Sequence, residues 1–221
     1  MSLNEFMQYE LAKPQSWSEM KKYIFRKNVR EVDSTDIKAS TTLKQLLPSG
    51  NCGVVILFLK QPHEKTLEDK KRDKAGEPNV GHFCLLFRHK RSGVHFFDPL
   101  GVGLRTVIEK TGANSNLVKI LSAAHVNQNK VKFQERRDDV QSCGRHCAMR
   151  YNMAYMKPAE YATFMRHKKL SFDEAVLLLT LSNDLTNWEA VHKKVGGSLQ
   201  TSLQTFWDSI SYNGANPFVG T

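Results

Sequence analysis

The apolar positions along the 221-residue chain predict strands in its middle and helices towards both ends. Three apolar runs of strand length are rich in branched or aromatic residues, over 52–59, 82–88 and 94–98. The second and third runs are joined by "HKRSG", which has the length and the glycine of a hairpin loop. A fourth, short strand is predicted over 130–133, "KVKF".

Helical spacing of apolar residues predicts helices on either side of these strands. Ser16 and Glu19 form a capping box before the segment 17–29, and 115–125 has the same periodicity. From Cys143 onward the chain is predicted to be almost wholly helical. The first expected helix spans 143–156, and Pro158 starts the second. Two more helices are capped by Ser171 with Glu174 and by Thr186 with Glu189. The last has an apolar face formed by Leu199, Leu203, Trp207 and Ile210.

This layout indicates the α+β class, with one domain over residues 1–221. Its expected parts are an N-terminal helical segment (1–50), a sheet core (51–142) and a helical part (143–221). The highly charged stretch 60–80 has the composition of an exposed loop or insertion. Neither a membrane span nor a secretory signal is recognisable, so four free cysteines in a reducing compartment are expected.

The net charge of +10 bears on possible partners. Excess positive charge favours contact with polyanions such as nucleic acid. A basic surface without a dedicated partner has the same composition. Because Lys and Arg are scattered along the chain, charge leaves both interpretations open.

The stretch "QERRDDVQSCGRHCAMRYNM" (134–153) contains the first candidate for chemistry. Cys143 stands where a charged loop turns into an amphipathic helix, and it is a packed thiol, a metal ligand or a nucleophile. Unpaired N–H groups at a helix N-terminus favour a thiolate, and the Cys143 N–H can donate to an oxyanion. Gly144 would let a substrate carbonyl approach. Most buried cysteines are simply packed, so the partners decide.

Two residues qualify as partners of a nucleophile. His82 begins the strand 82–88 behind a glycine, and Asp98 closes the strand 94–98 before a proline. A hairpin brings both to the same end, where a carboxylate orients an imidazole that acts as general base. The alternatives are a solvated strand-edge histidine and an aspartate that serves only the turn.

A zinc site is the competing interpretation of the same region. The residue types required for it are present in His82, Cys84, Cys143, His146 and Cys147. However, C-x-x-x-C on a helix and H-x-C on a strand match no common zinc spacing. We therefore expect no metal and no cofactor, and we expect Cys147 and Cys52 to be core residues.

The blocks "GHFCLLF" (81–87), "FFDPLG" (96–101) and "SCGRHC" (142–147) resemble the catalytic blocks of the adenovirus-type and ubiquitin-like-protein-type cysteine proteases. The order His, Asp, Cys matches that superfamily, whereas papain-like enzymes place the cysteine first. "CGRHC" followed by Arg150 is most similar to maturation proteases of virophages, polinton-like elements and large DNA viruses. The resemblance covers about 50–155. It implies a central mixed sheet flanked by helices, with the cysteine at a helix N-terminus and the histidine and aspartate on adjacent strands.

The resemblance also implies the roles of the site residues. His82, Asp98 and Cys143 would be catalytic, and a glutamine before the nucleophile would complete the oxyanion hole. Gln134 is further from Cys143 than the usual glutamine, and Gln141 is closer. Gln134 is preferred because it leaves a predicted strand end and can face the cysteine if "RRDDV" bulges outward. Two positions depart from the family pattern: Phe83 replaces a frequent Trp, and Ser142 stands where many relatives have Asp.

The implied function is a cysteine endopeptidase that cleaves viral capsid or core precursors after glycine-containing motifs during virion maturation. Such an enzyme would be a monomer in the virion and in the infected cell, in the cytoplasmic virus factory or the nucleus. Non-specific DNA and an activating peptide are possible partners. Gly196-Gly197 is then a self-cleavage site or a flexible turn. The alternatives are a protease that removes ubiquitin-like modifiers and a non-catalytic basic nucleic-acid-binding protein.

Overall fold

A computed structural model describes residues 2–48, 53–59, 81–113, 115–137, 139–166 and 170–183. In these ranges a five-stranded mixed sheet is flanked by helices, which confirms the α+β class. The strands are β1 (Val29–Asp33), β2 (Gly53–Leu59), β3 (Gly81–His89), β4 (Gly93–Phe97) and β5 (Asn127–Gln128). The α-helices are α1 (Leu3–Ala12), α2 (Trp17–Lys22), α3 (Leu43–Leu46), α4 (Leu104–Thr111), α5 (Asn116–Ser122), α6 (Cys143–Asn152), α7 (Pro158–Met165) and α8 (Phe172–Asn183), with a 3₁₀ turn at Ser34–Asp36.

The strands follow chain order across the sheet, β1-β2-β3-β4-β5. The three central strands are antiparallel, and the two outer strands run parallel to their neighbours. In the β3–β4 hairpin Leu85 lies opposite Phe97. One further step of this register sets Asp98 opposite Cys84, so that His82 and Asp98 share a face at the same end of the hairpin.

Both faces of the sheet are buried because its strands alternate two sets of apolar side chains. Val55, Phe83, Leu85, Phe87 and Phe97 pack in one core cluster with residues of α6. The other set packs with residues of α3, α4 and α5, and consists of Val54, Ile56, Phe58, Cys84, Leu86 and Phe96. A third cluster joins α1 to α8. Since α6 also contacts α8, α6 is enclosed between the sheet and a second helical layer.

Every residue of α6 is buried, including four with polar or charged side chains, Arg145, His146, Arg150 and Asn152. Arg150 is one of them, and its guanidinium donates to the carbonyls of Met153 (2.7 Å) and Met156 (3.0 Å). It also lies over the rings of Phe87 and Tyr161. Burial lowers the pKa of Arg150 to about 10, so it keeps its charge near neutral pH. Arg150 therefore satisfies carbonyls beyond the end of the helix, which lies at Asn152 and not at residue 156 as predicted.

The N-terminal prediction needs correction. The helix predicted over 17–29 ends at Lys22, and β1 begins at Val29. Segment 1–50 is thus not wholly helical, and the sheet extends outside 51–142. β1 contains two valines and three charged residues without strict alternation, and it pairs parallel with β2, a non-local contact that the local pattern does not reveal. α1 and α3 lie in the segment predicted to be helical but were not predicted individually, and α4 was not predicted.

The strand predicted over 130–133 is also wrong, and the short β5 precedes it. The N–H groups of Phe133 and Gln134 both donate to the Pro99 carbonyl, at 2.8 and 2.9 Å. Because Pro99 has no N–H group that could donate a hydrogen bond back to this segment, no β-ladder forms there. The Asn129 amide instead accepts from the Asp98 N–H and donates to the Asp98 carbonyl. The helix predicted over 115–125 is shorter as well, ending at Ser122.

Several predictions are confirmed locally. The capping boxes of Ser16 with Glu19 and Ser171 with Glu174 are present, and Pro158 begins α7. No helix in the described ranges is long and apolar enough to cross a membrane. The remaining predictions concern residues outside those ranges, namely loop 60–80, Cys52, the Thr186–Glu189 box, Gly196-Gly197 and the C-terminal apolar face. The single-domain prediction stays a prediction.

Candidate active site

His82 and Asp98 form a close pair at one end of the β3–β4 hairpin, with 2.7 Å between His82 Nε2 and Asp98 Oδ1. The Asp98 side chain is fully buried. Its Oδ1 also accepts from the Leu100 N–H (2.9 Å), and its Oδ2 accepts from the N–H groups of Val102 (2.8 Å) and Gly103 (3.1 Å). These four bonds occupy the acceptor sites of the carboxylate and fix its orientation.

The charges of this pair support each other. Burial opposes ionisation of Asp98, but the bonds to His82 and to the loop N–H groups outweigh it and hold the pKa of Asp98 below its ordinary value. Burial also opposes a charged His82, yet Cys84, Asp98 and Cys143 together raise the pKa of His82 well above its ordinary value. Since burial raises the pKa of Cys84 to about 12, Cys84 is neutral near pH 7. Asp98 is therefore the fixed negative charge that supports an imidazolium.

The Cys143 thiol completes the group. Cys143 is the first residue of α6, is 5% exposed and interacts with the His82 imidazole, whose pKa it helps to raise. Because Asp98 occupies Nε2, Nδ1 is the nitrogen left to exchange a proton with the thiol. The structure thus brings together three residues predicted from separate parts of the sequence.

Some backbone N–H groups in the first turn of α6 make no hydrogen bond to the described residues. The Ser142 side chain makes no capping bond; the Arg145 N–H donates to Gln15 Oε1 (2.9 Å), and the His146 N–H donates to the Ser142 carbonyl (3.0 Å). This leaves the N–H groups of Cys143 and Gly144 with no acceptor among the described residues. Such N–H groups at the positive end of a helix stabilise negative charge.

A buried cluster around Asp173 fixes this end of α6. The Asp173 carboxylate accepts from the Ser142 hydroxyl, contacts His146 Nε2 (3.0 Å) and accepts from the Glu135 N–H (2.8 Å). Burial opposes its charge, but these partners outweigh burial and lower the pKa of Asp173. Asp173 was not predicted as a site residue, because an acid in the first turn of a helix ordinarily indicates only a charge–dipole contact. The cluster gives the Ser142 hydroxyl, directly before Cys143, a buried acceptor.

Gln134 is buried, and its amide is committed to a neighbour. Its Nε2 donates to the Val140 carbonyl (3.0 Å), while its Oε1 is buried without a partner among the described residues. Glu135, Arg136, Arg137 and Asp139 are exposed, whereas Val140 is buried, so an outward bulge of the whole stretch "RRDDV" stays a prediction. Contact between the Gln134 amide and a substrate stays a prediction.

Aromatic and thiol contacts line the buried side of the site. Phe83 lies edge-on to Trp17, with ring centroids 4.9 Å apart. The Cys147 thiol donates to the Phe83 carbonyl (3.3 Å) and is completely buried, which raises its pKa well above the ordinary value. Cys147 is therefore a core residue, as predicted.

Three potential metal ligands lie close together at this site. One ligand atom from each of His82, Cys84 and Asp98 lies within 4.8 Å of the others. However, the Asp98 lone pairs are occupied by His82 and three N–H groups. The wider zinc set is also divided, because His146 contacts Asp173 and Cys147 contacts a carbonyl. These donors fit a proton-transfer group better than a zinc centre.

Comparison with known proteins relates the chain to a virus-associated protein. No protein-family model matches the chain. The chain is similar to "Uncharacterized protein V9" of Sputnik virophage, with 26% identity over 160 residues. The match covers 66% of this chain and 81% of that protein. The name of that protein states no activity. The comparison therefore shows a relationship to a virophage protein, and any chemistry has to be inferred from the geometry of the site.

Proposed function

We propose that the protein is a cysteine endopeptidase whose nucleophile is Cys143. One observation carries the proposal: a thiol at the first residue of a buried helix interacts with an imidazole that is itself paired with a buried, fully hydrogen-bonded carboxylate. Nucleophile, base and orienting group are the three parts that thiol acyl transfer requires. The unpaired N–H of Cys143 supplies a donor for the oxyanion.

In the proposed reaction His82 and Cys143 hold a thiolate–imidazolium pair that Asp98 stabilises. The thiolate adds to the scissile carbonyl, and the resulting oxyanion accepts from the Cys143 N–H. Collapse of this intermediate breaks the C–N bond, and His82 protonates the leaving amine. Water then attacks the thioester with His82 as base, which releases the acid and restores the thiolate.

The relationship to a virophage protein supports a viral substrate. We propose that the enzyme cleaves capsid or core precursors after glycine-containing motifs during virion maturation, in the infected cell and the particle. The charge of +10 supports a contact with the viral DNA that such particles contain. Removal of ubiquitin-like modifiers uses the same chemistry and is the alternative that the experiment must separate.

The test is digestion of a mixed peptide library by the full chain, followed by mass-spectrometric identification of new termini. We expect new carboxyl termini at glycine-containing motifs, whereas conjugates of ubiquitin-like modifiers remain intact. Cleavage of conjugates with no cleavage of library peptides would favour the deconjugating alternative. A folded chain that cleaves neither would overturn the protease assignment.

A further inference from the structure

Gln15 comes from a distant part of the chain and lies against the first turn of α6. It belongs to the connection between α1 and α2, 130 residues from Arg145, whose N–H donates to Gln15 Oε1 at 2.9 Å. A Cβ added to Gly144 would approach the same oxygen to 2.5 Å. The absence of a side chain at Gly144 therefore lets the Gln15 amide lie directly beside the residue that follows the nucleophile.

The orientation of this amide is determined by its partner. Since the Arg145 N–H is a donor, the atom facing it must be the Gln15 oxygen. The Gln15 nitrogen is consequently the free end, and it is buried with no acceptor in the part of the chain that the structure describes. A buried donor without a partner destabilises the folded chain, so it requires an explanation, such as a role in catalysis.

In the Gln134 amide the bonded end is the nitrogen and the unpaired end is the oxygen, the reverse of Gln15. The Gln134 nitrogen already gives one of its two N–H groups to the Val140 carbonyl, and the Gln134 oxygen is buried without a partner among the described residues. A tetrahedral oxyanion needs donors, and an unpaired carbonyl oxygen would repel it. Of these two glutamines, Gln15 is the one whose nitrogen has both N–H groups unpaired among the described residues while its oxygen already has a partner.

We propose, on the basis of the function proposed above, that Gln15 Nε2 and the Cys143 N–H together form the oxyanion hole. When the Cys143 thiolate forms the C–S bond, the carbonyl π electrons move to oxygen, and that oxyanion accepts from both donors. Collapse restores the carbonyl as the C–N bond breaks and the amine takes its proton from His82. The thioester then repeats the cycle with water, and the second oxyanion occupies the same two donors.

Two substitutions separate donation from a merely structural role. Gln15→Glu keeps an oxygen for the Arg145 N–H but has no N–H to donate, and Gln15→Met removes both. We expect both variants to lower kcat for a fluorogenic peptide ending in Gly-Gly by about 10²–10³-fold, with little change in KM. Gln134→Met is the matched comparison and is expected to retain more activity than either Gln15 variant.

Two further measurements report the oxyanion specifically. A peptide aldehyde ending in Gly-Gly forms a tetrahedral adduct with the thiolate, so its affinity should fall in step with kcat. Alkylation of Cys143 by iodoacetamide forms no oxyanion, so its rate should fall far less than kcat in both variants. Full activity in Gln15→Glu would show that Gln15 only caps α6, and loss confined to Gln134→Met would assign the donor to Gln134. Equal loss of alkylation and turnover would also overturn the inference.

These outcomes are distinct from failure of the proposed function. If the wild-type chain neither cleaves the peptide nor binds the aldehyde, the protease assignment itself is wrong. If the wild type does both and the Gln15 variants do so equally well, only the role of Gln15 is wrong.

Discussion

Replacement of Cys143 by alanine is expected to abolish peptide cleavage, with a loss of at least about 10⁴-fold in kcat. The physical reason is that no other group at the site can form the acyl intermediate. Cys84 is the nearest substitute, but burial raises its pKa to about 12, and it therefore stays a neutral thiol. The measurement is initial-rate cleavage of the peptides identified from the library, with circular dichroism to verify the fold.

Cys84→Ala is the matched control, because Cys84 is also buried and also interacts with His82. It removes a sulfur from the same imidazole without removing the proposed nucleophile, so we expect it to retain most of the wild-type turnover. Wild-type turnover by a folded Cys143→Ala chain, or inactivation by Cys84→Ala alone, would contradict the assignment.

The largest effect on stability is expected from Asp173→Ala. The substitution leaves the Ser142 hydroxyl, the His146 ring and the Glu135 N–H without their buried acceptor. Breaking a buried network by removing its charged member costs about 3–5 kcal/mol. For a chain of this size the unfolding midpoint should fall by roughly 10 °C, as measured by calorimetry or circular dichroism at pH 7.

The effect of Asp173→Ala should depend on pH. Because the folded pKa of Asp173 lies below its ordinary value of 3.8, its carboxylate stabilises the fold above that value. This contribution is lost as the pH falls through the lowered folded pKa. The difference in unfolding free energy between wild type and variant should therefore be large at pH 7 and shrink as the solution is acidified below 3.8 towards the lowered folded pKa.

The control for Asp173→Ala is Asp139→Ala, which removes an exposed carboxylate paired with Arg137. Solvent screens that pair, so the unfolding midpoint should stay unchanged. An Asp173→Ala midpoint equal to that of the Asp139→Ala control would show that the buried cluster does not stabilise this end of α6.

The parts of the fold that the sequence predicted are those determined by local pattern. β2, β3 and β4 are nearly continuous runs of branched and aromatic residues, and the β3–β4 hairpin has a short glycine-containing loop. The order of His82, Asp98 and Cys143 along the chain indicated the three-residue site, and the hairpin register explains why the first two meet. Local periodicity and a short connection were sufficient there.

The missed features depend on long-range contacts. Gln15 meets Arg145 across 130 residues, and Asp173 meets Ser142 across 31. Neither residue has a neighbouring motif that indicates such a partner. The strand predicted at 130–133 failed for a related reason, since its N–H groups bond to the Pro99 carbonyl, which belongs to a turn. A sequence pattern describes what a segment favours by itself, whereas these contacts depend on which segments the fold brings together.

The most direct test of an activated Cys143 is its alkylation rate at limiting iodoacetamide near neutral pH, followed by mass spectrometry of all four cysteines. Cys143 is 5% exposed, so an ordinary thiol there would react more slowly in the folded chain than in the guanidine-unfolded chain. We predict the opposite: Cys143 reacts faster when folded, and faster than Cys52, Cys84 and Cys147. A folded chain in which Cys143 reacts no faster than those three cysteines, or than itself when unfolded, would contradict the assignment of Cys143 as the nucleophile.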